Sequence, residues 1–126
     1  MSIKIPSPPK NRELLYEYVM SISSHLLGAD LLIANVINSG VWNMDSTSSL
    51  VVSLGNINYK AIKKVSIIIL NDGDTVRYDT SLIEDGISSV SLSPAGLTIT
   101  RKSSGFFDST DFNDASQNRA VITVWR

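Results

Sequence analysis

From Val41 onward, short apolar or β-branched runs alternate with polar turns at intervals of about ten residues. This spacing is typical of all-β sandwiches. At 126 residues the chain has the length of one ordinary domain. We therefore predict an all-β, single-domain antiparallel β-sandwich. Its clearest predicted strands are residues 50–54, 65–70, 75–78, 87–92, 97–101 and 120–125.

Residues 65–70 are apolar almost throughout, which predicts a central strand buried on both faces. Residues 71–74 follow as Asn-Asp-Gly-Asp and indicate a tight hairpin turn, because the Asp-Gly step supplies positive φ. Residues 93–96, Ser-Pro-Ala-Gly, predict a second turn. Both turns separate predicted strands, as the sandwich requires.

The N-terminal third is less regular. Pro6, Pro8 and Pro9 remove backbone donors and favour extended backbone. We expect residues 1–12 to be an extended N-terminal arm that contacts a neighbouring subunit, and residues 13–126 to be the β-sandwich domain. Residues 14–22 fit a strand or a helix, with tyrosines and β-branched residues favouring the strand. Residues 31–37 form another apolar run, closed by a turn signal at 38–40, where a helix ending at Gly40 is the alternative.

Composition and charge exclude several classes of function. Eleven basic residues against twelve acidic ones give a net charge of −1, which provides no long-range field to attract nucleic acid or an anionic membrane. No apolar run approaches the length of a membrane span. There is no cysteine, so disulfides and thiolate sites are excluded. Only 18% of residues are charged, which suits surfaces that end up against a partner.

Candidate catalytic residues are few. The only histidine is His25, and no nucleophile-elbow motif surrounds any serine. Asp108, Asp111 and Asp114 could converge around calcium, but turn-forming loop residues explain their spacing better. No glycine-rich phosphate-binding motif is present. We therefore expect no enzymatic activity, no cofactor and no metal.

Residues 102–119 form a long polar segment that carries three phenylalanines, and we expect it to be the binding loop. Phe106 and Phe107 are adjacent, so in extended backbone they point to opposite sides. We expect one of the two to contact a partner, and Phe107 to be less suited to burial because Asp108 follows it. Phe112 is a third candidate contact in this loop.

The two tryptophans, Trp42 and Trp125, are expected to have different roles. Trp42 is expected in the core. If Ile122 and Val124 face the core, Trp125 lies on the other side and could anchor an interface.

The order of several short motifs supports a family resemblance. An aromatic segment at 16–19 follows the proline arm, and an apolar segment ends in Asn-Ser-Gly-Val-Trp at 38–42. Lys63 or Lys64 precedes an apolar strand, and an Asp- and Ser-rich loop leads into residues 118–125. In these features the chain resembles small β-rich structural proteins of tailed bacteriophages and prophages from Bacteroides-like and Flavobacterium-like hosts. It departs from them at residues 78–93.

The resemblance implies a virion structural protein with no active site. We expect a homo-oligomer that binds other virion proteins and decorates or stabilises the capsid, or joins accessory parts to the particle. The alternative is a carbohydrate- or receptor-binding module of a phage fibre, which would present exposed aromatic rings beside polar groups. Head and tail positions both remain open.

Overall fold

We describe a computed structural model of the chain, which covers residues 32–126 in detail. Within the described part of the chain, Ala34–Arg126 forms one compact unit, which carries every element described below. The predicted arm with Pro6, Pro8 and Pro9, the boundary at residue 13, the segment 14–22 and His25 all lie outside the described residues. No helix within residues 32–126 is long and apolar enough to cross a membrane.

The described residues are all-β, with no α-helix among them, and form two antiparallel sheets. The four-stranded sheet has the order β1-β7-β3-β4, and the three-stranded sheet has the order β2-β6-β5. The strands are β1 Ala34–Asn38, β2 Ser49–Val52, β3 Lys64–Leu70, β4 Arg77–Asp79, β5 Ile87–Ser93, β6 Gly96–Arg101 and β7 Ala120–Trp125. Short 3₁₀ turns lie at Tyr59–Ala61, Asp72–Asp74, Thr80–Leu82 and Thr110–Phe112.

Most predicted strands are confirmed within a residue or two. In the predicted apolar run at 31–37, residues 34–37 belong to a strand, β1, whose side chains alternate between half-buried and exposed. The expected strand at 75–78 is wrong at its start, since six residues connect β3 to β4 and β4 begins only at Arg77. Asn71 explains this longer connection, because its side-chain oxygen accepts the backbone N–H groups of Thr75 and Val76 and holds those two residues in the turn. The turn at 93–96 is confirmed as a hairpin, with Ser93 opposite Gly96.

β3 and β7 form the centre of the four-stranded sheet. They pair from Lys64 opposite Trp125 to Ile69 opposite Ala120. Ile67 and Ile69 of β3 are buried on the core side. The expectation that β3 is buried on both faces is wrong for most of the outer face, where Ser66 and Ile68 are only half-buried and Lys64 is exposed.

A single buried core draws side chains from both sheets. Trp42 lies in it as predicted, and its indole N–H donates to the Thr47 carbonyl at 2.9 Å. The core also takes in two phenylalanines from the loop that precedes β7. Its strand members include Val52, Ile67, Ile69, Leu97, Ile99, Ala120, Ile122 and Val124.

Candidate functional site

The phenylalanines of residues 102–119 form an aromatic cluster with Tyr78 of β4. The Tyr78 ring centroid lies 5.0 Å from that of Phe106 and 5.9 Å from that of Phe112, and the Phe106 and Phe107 centroids are 5.2 Å apart. Phe107 is completely buried and Phe112 is 2% exposed, whereas Phe106 is 42% exposed. The expectation that Phe107 is the less buried of the pair is therefore wrong. Phe107 and Phe112 are core residues, and Phe106 is the ring available at the surface.

The backbone explains why both neighbouring rings join one cluster. Residues 102–108 are not extended: Gly105 N–H donates to the Lys102 carbonyl, and Asp108 N–H donates to Gly105. The alternation rule for extended backbone therefore does not apply. Gly86 provides the space for Phe107, because a Cβ on Gly86 would come within 2.5 Å of that ring.

Two buried arginines hold the same loop in place. Arg119 is fully buried and donates to the carbonyls of Trp42, Leu70 and Asp114, and its ion pair with Asp72 measures 2.7 Å. Arg101 donates to the Met44 carbonyl and pairs with Asp108 at 3.3 Å. Buried guanidinium groups require such partners, because an unpaired buried charge is costly. The loop that carries Phe106 is thus a fixed platform.

The ionisation of Asp72, the partner of Arg119, makes the stability of this loop depend on pH. Partial burial favours its neutral form, but hydrogen bonds from the Arg119 guanidinium and from the N–H groups of Asp114 and Asn113 outweigh burial and lower the pKa of Asp72. A lowered folded-state pKa contributes stability above the unfolded value of about 3.9. That contribution is lost as the pH falls through the folded-state pKa.

We therefore predict that Asp72→Asn destabilises the protein at pH 6 and that the difference narrows below about pH 4, where the wild-type carboxyl also becomes neutral. Thermal midpoints of both proteins between pH 6 and pH 2 measure this. A difference that stays constant over the whole range would contradict the ion pair.

Trp125 lies at the other end of the four-stranded sheet. Ile122 and Val124 are fully buried, which confirms that they face the core and that Trp125 points to the outer face. Trp125 is half-buried, and the Lys64 ammonium lies 4.8 Å from its ring centroid. In the sheet register Trp125 is opposite Lys64 and Tyr78 is opposite Ile69, a separation of roughly 17 Å along β3. Phe106 and Trp125 therefore do not form one site.

Beside Trp125, part of the β3 edge has no neighbouring strand among residues 32–126. β4 pairs only with residues 68–70 of β3, because it stops at Asp79 and the chain turns into Thr80–Leu82. Leu70 N–H donates toward the β7 side, so by antiparallel alternation Ser66 and Ile68 also bond to that side. Val65, Ile67 and Ile69 therefore point their backbone groups toward β4.

Beyond the end of β4, most of these backbone groups have no partner in the part of the chain that the structure describes. The Thr80 hydroxyl donates to the Ile67 carbonyl at 3.1 Å. Within residues 32–126, no backbone group pairs with the Ile67 N–H or with either backbone group of Val65. β3 thus presents two donors and one acceptor along a short stretch of free edge, which is the arrangement that accepts an added strand.

A groove of about 300 Å³ runs along this edge. Its floor is residues 64–67 of β3, and its walls are residues 79–81, Trp125 and Val90 of β5. Val90 is opposite Ile99, which is fully buried, so Val90 points toward the core side of its sheet. It is nevertheless 42% exposed, because β4 is too short to cover it. The groove therefore combines free backbone groups with uncovered apolar surface.

The remaining predicted features have structural roles. Asp108 pairs with Arg101, and Asp114 accepts from the N–H and hydroxyl of Ser116. No group of three His, Cys, Asp or Glu side chains converges among residues 32–126. The open edge was not among the residues proposed from sequence, because the length of β4 relative to β3 depends on the turn at 71–76 and on the 3₁₀ turn after Asp79.

Comparison with known proteins adds no relative: no family model, curated protein or solved structure matches this chain.

Proposed function

We propose that this chain is a structural subunit of a tailed-phage virion: an antiparallel β-sandwich that forms homo-oligomers and attaches to other virion proteins. In this role it decorates or stabilises the capsid, or joins accessory parts to the particle. The virion role comes from the motif resemblance in the sequence. The physical support is a rigid β-domain whose described surface offers contacts suited to other chains.

The observation that carries an assembly role is the open edge of β3 beside Trp125. Free strand edges attract other chains, and proteins that stay monomeric usually cover or charge them along their length. Lys63 and Lys64 place positive charge at one end of this β3 edge, but Val65, Ile67 and Val90 line an apolar groove along it. An apolar groove beside a partly unpaired strand edge is suited to binding another chain.

The second contact is Phe106 on its fixed loop. Its ring is 42% exposed, yet Arg101, Arg119 and the packing of Phe107 hold the surrounding backbone. A preorganised aromatic side chain loses little conformational entropy when a partner covers it. We propose that Phe106 contributes to the contact between copies of this chain, at the opposite end of the sheet from the groove.

The test of this function is the mass of the purified full-length chain in solution, measured by light scattering across a range of concentrations. We expect a trimer or a higher ring, and we expect Phe106→Ala to shift the distribution toward monomer. Val36→Ala is the matched control, because Val36 is also exposed but lies on β1, at the edge of the four-stranded sheet opposite β4 and Tyr78. A stable monomer at every concentration would contradict the oligomeric proposal.

A carbohydrate- or receptor-binding module is the second candidate, and one observation favours it. Beside the exposed Phe106 ring, Lys102 and Asp85 form an exposed ion pair, so an aromatic surface adjoins polar hydrogen-bonding groups. Sugars bind to such combinations. A glycan array with the wild-type protein and Phe106→Ala would separate the candidates: binding that depends on Phe106 in a monomeric protein supports this one.

A further inference from the structure

We infer that the groove beside β3 binds an extended segment of a different protein chain, which adds as a short antiparallel strand and carries an apolar residue followed by an acidic one. This inference rests on the proposed assembly function, since it names the chemistry of the partner at that surface. It concerns the site defined by residues 64–67, Thr80, Val90 and Trp125.

The backbone of β3 specifies an added strand. Val65 offers an N–H and a carbonyl, and Ile67 offers an N–H, all on the side where β4 is missing. The Thr80 hydroxyl already donates to the Ile67 carbonyl, so the part of the β3 edge that lacks a neighbouring strand ends there. Because Ile68 lies opposite Asp79, Thr80 occupies the position opposite Ile67, so an antiparallel strand would begin beyond Thr80 and pair with Val65.

The side chains specify alternation in the added strand. Its first residue would lie opposite half-buried Ser66 on the outer face. The second, opposite Val65, would point toward the core side, where Val90 is uncovered, so this position favours valine, isoleucine or leucine. The pattern is therefore polar, then apolar.

Charge specifies the next position. The third residue lies opposite Lys64, whose ammonium lies over the Trp125 ring, with exposed Lys63 beside it. An acidic side chain there would gain an attractive cross-strand pair, whereas a basic one would be repelled. The acidic residue Asp79 lies at the other end of the groove, next to Thr80.

The same charges disfavour pairing between the β3 edges of two copies. If Val65 lies opposite Val65 of a second copy, Lys63 and Lys64 of both chains meet in one short interface and repel. If Val65 of one copy lies opposite Ile67 of the other, Lys64 of the first copy must lie opposite Ile68 of the second. Asp79 of that second copy already occupies this position. The favoured occupant is thus a different chain.

The experiment is a titration of the full-length protein with capped octapeptides, followed by backbone amide NMR. The central residues of the test peptide are Thr-Val-Glu, and the comparison peptide has lysine in place of glutamate. We expect the glutamate peptide to bind about five- to tenfold more tightly and to shift the Val65 amide. In Lys64→Glu the preference should reverse.

Val65→Pro gives a second measurement. Its missing N–H faces the open edge and not β7, so the fold should tolerate proline as edge strands do. We expect peptide affinity to fall at least about tenfold while the solution mass is unchanged. Absence of binding to either peptide, or a preference that does not reverse in Lys64→Glu, would overturn the inference. Failure of the proposed homo-oligomer would instead appear in the mass and leave peptide binding intact.

Discussion

Replacing Phe107 with alanine should lower the free energy of unfolding by about 3–5 kcal/mol, because a fully buried aromatic ring leaves a cavity that the core fills only in part. Phe107 contacts Tyr78, Phe106 and Phe112 through edge-to-face pairs. Its ring also packs against Gly86, where any side chain would collide with it. For a domain of this size the thermal midpoint should fall by roughly 10–20 °C. Chemical denaturation followed by tryptophan fluorescence measures the change.

Phe106→Ala is the matched control, one residue away in the same cluster. Its ring is partly exposed, so the loss should be about 1 kcal/mol, mainly from its aromatic pairs. Equal losses at the two positions would contradict the assignment of Phe107 to the core and Phe106 to the surface.

Replacing Arg119 with alanine should cost a similar amount, about 3–5 kcal/mol. The guanidinium is fully buried and bonds to Asp72 and to carbonyls from three separate parts of the chain, so its removal takes a charged donor from each of these acceptors and opens a cavity. It also disconnects the aromatic loop from the turn after β3. Phe106 should then lose its fixed position, which heteronuclear NMR relaxation of the loop amides would detect.

Arg77→Ala is the control for charge removal. Arg77 also pairs with an aspartate, Asp74, at 2.8 Å, but both side chains are exposed and water screens the pair. We expect a change below about 1 kcal/mol. If Arg119→Ala were as mild as Arg77→Ala, the buried network would not be what holds the loop.

The strands of this protein could be predicted from the sequence because their signals are local. The alternation along residues 120–125 predicted the strand and the two faces between which its side chains divide, and Ser93-Pro94-Ala95-Gly96 predicted a turn; the structure shows that the Ile122 face is the buried one. The start of β4 could not be predicted, since it depends on the Asn71 side-chain oxygen, which accepts the backbone N–H groups of Thr75 and Val76 beyond the Asp-Gly step.

The contact residues were harder to predict because they depend on long-range packing. Phe107 precedes a charged residue in sequence, yet that residue, Asp108, turns toward Arg101 and leaves the ring in the core. The free edge of β3 has no sequence signature either. It arises because two neighbouring strands differ in length, and only the pairing register shows where one of them stops.

The most direct test of the account is amide hydrogen exchange along β3 in the free full-length protein. If the edge is available for a partner strand, the Val65 and Ile67 amides should exchange much faster than those of Ser66 and Ile68, which bond to β7. Equal protection of all four amides in the free protein would mean that another segment already occupies the edge, and would contradict the claim that this groove is the binding surface.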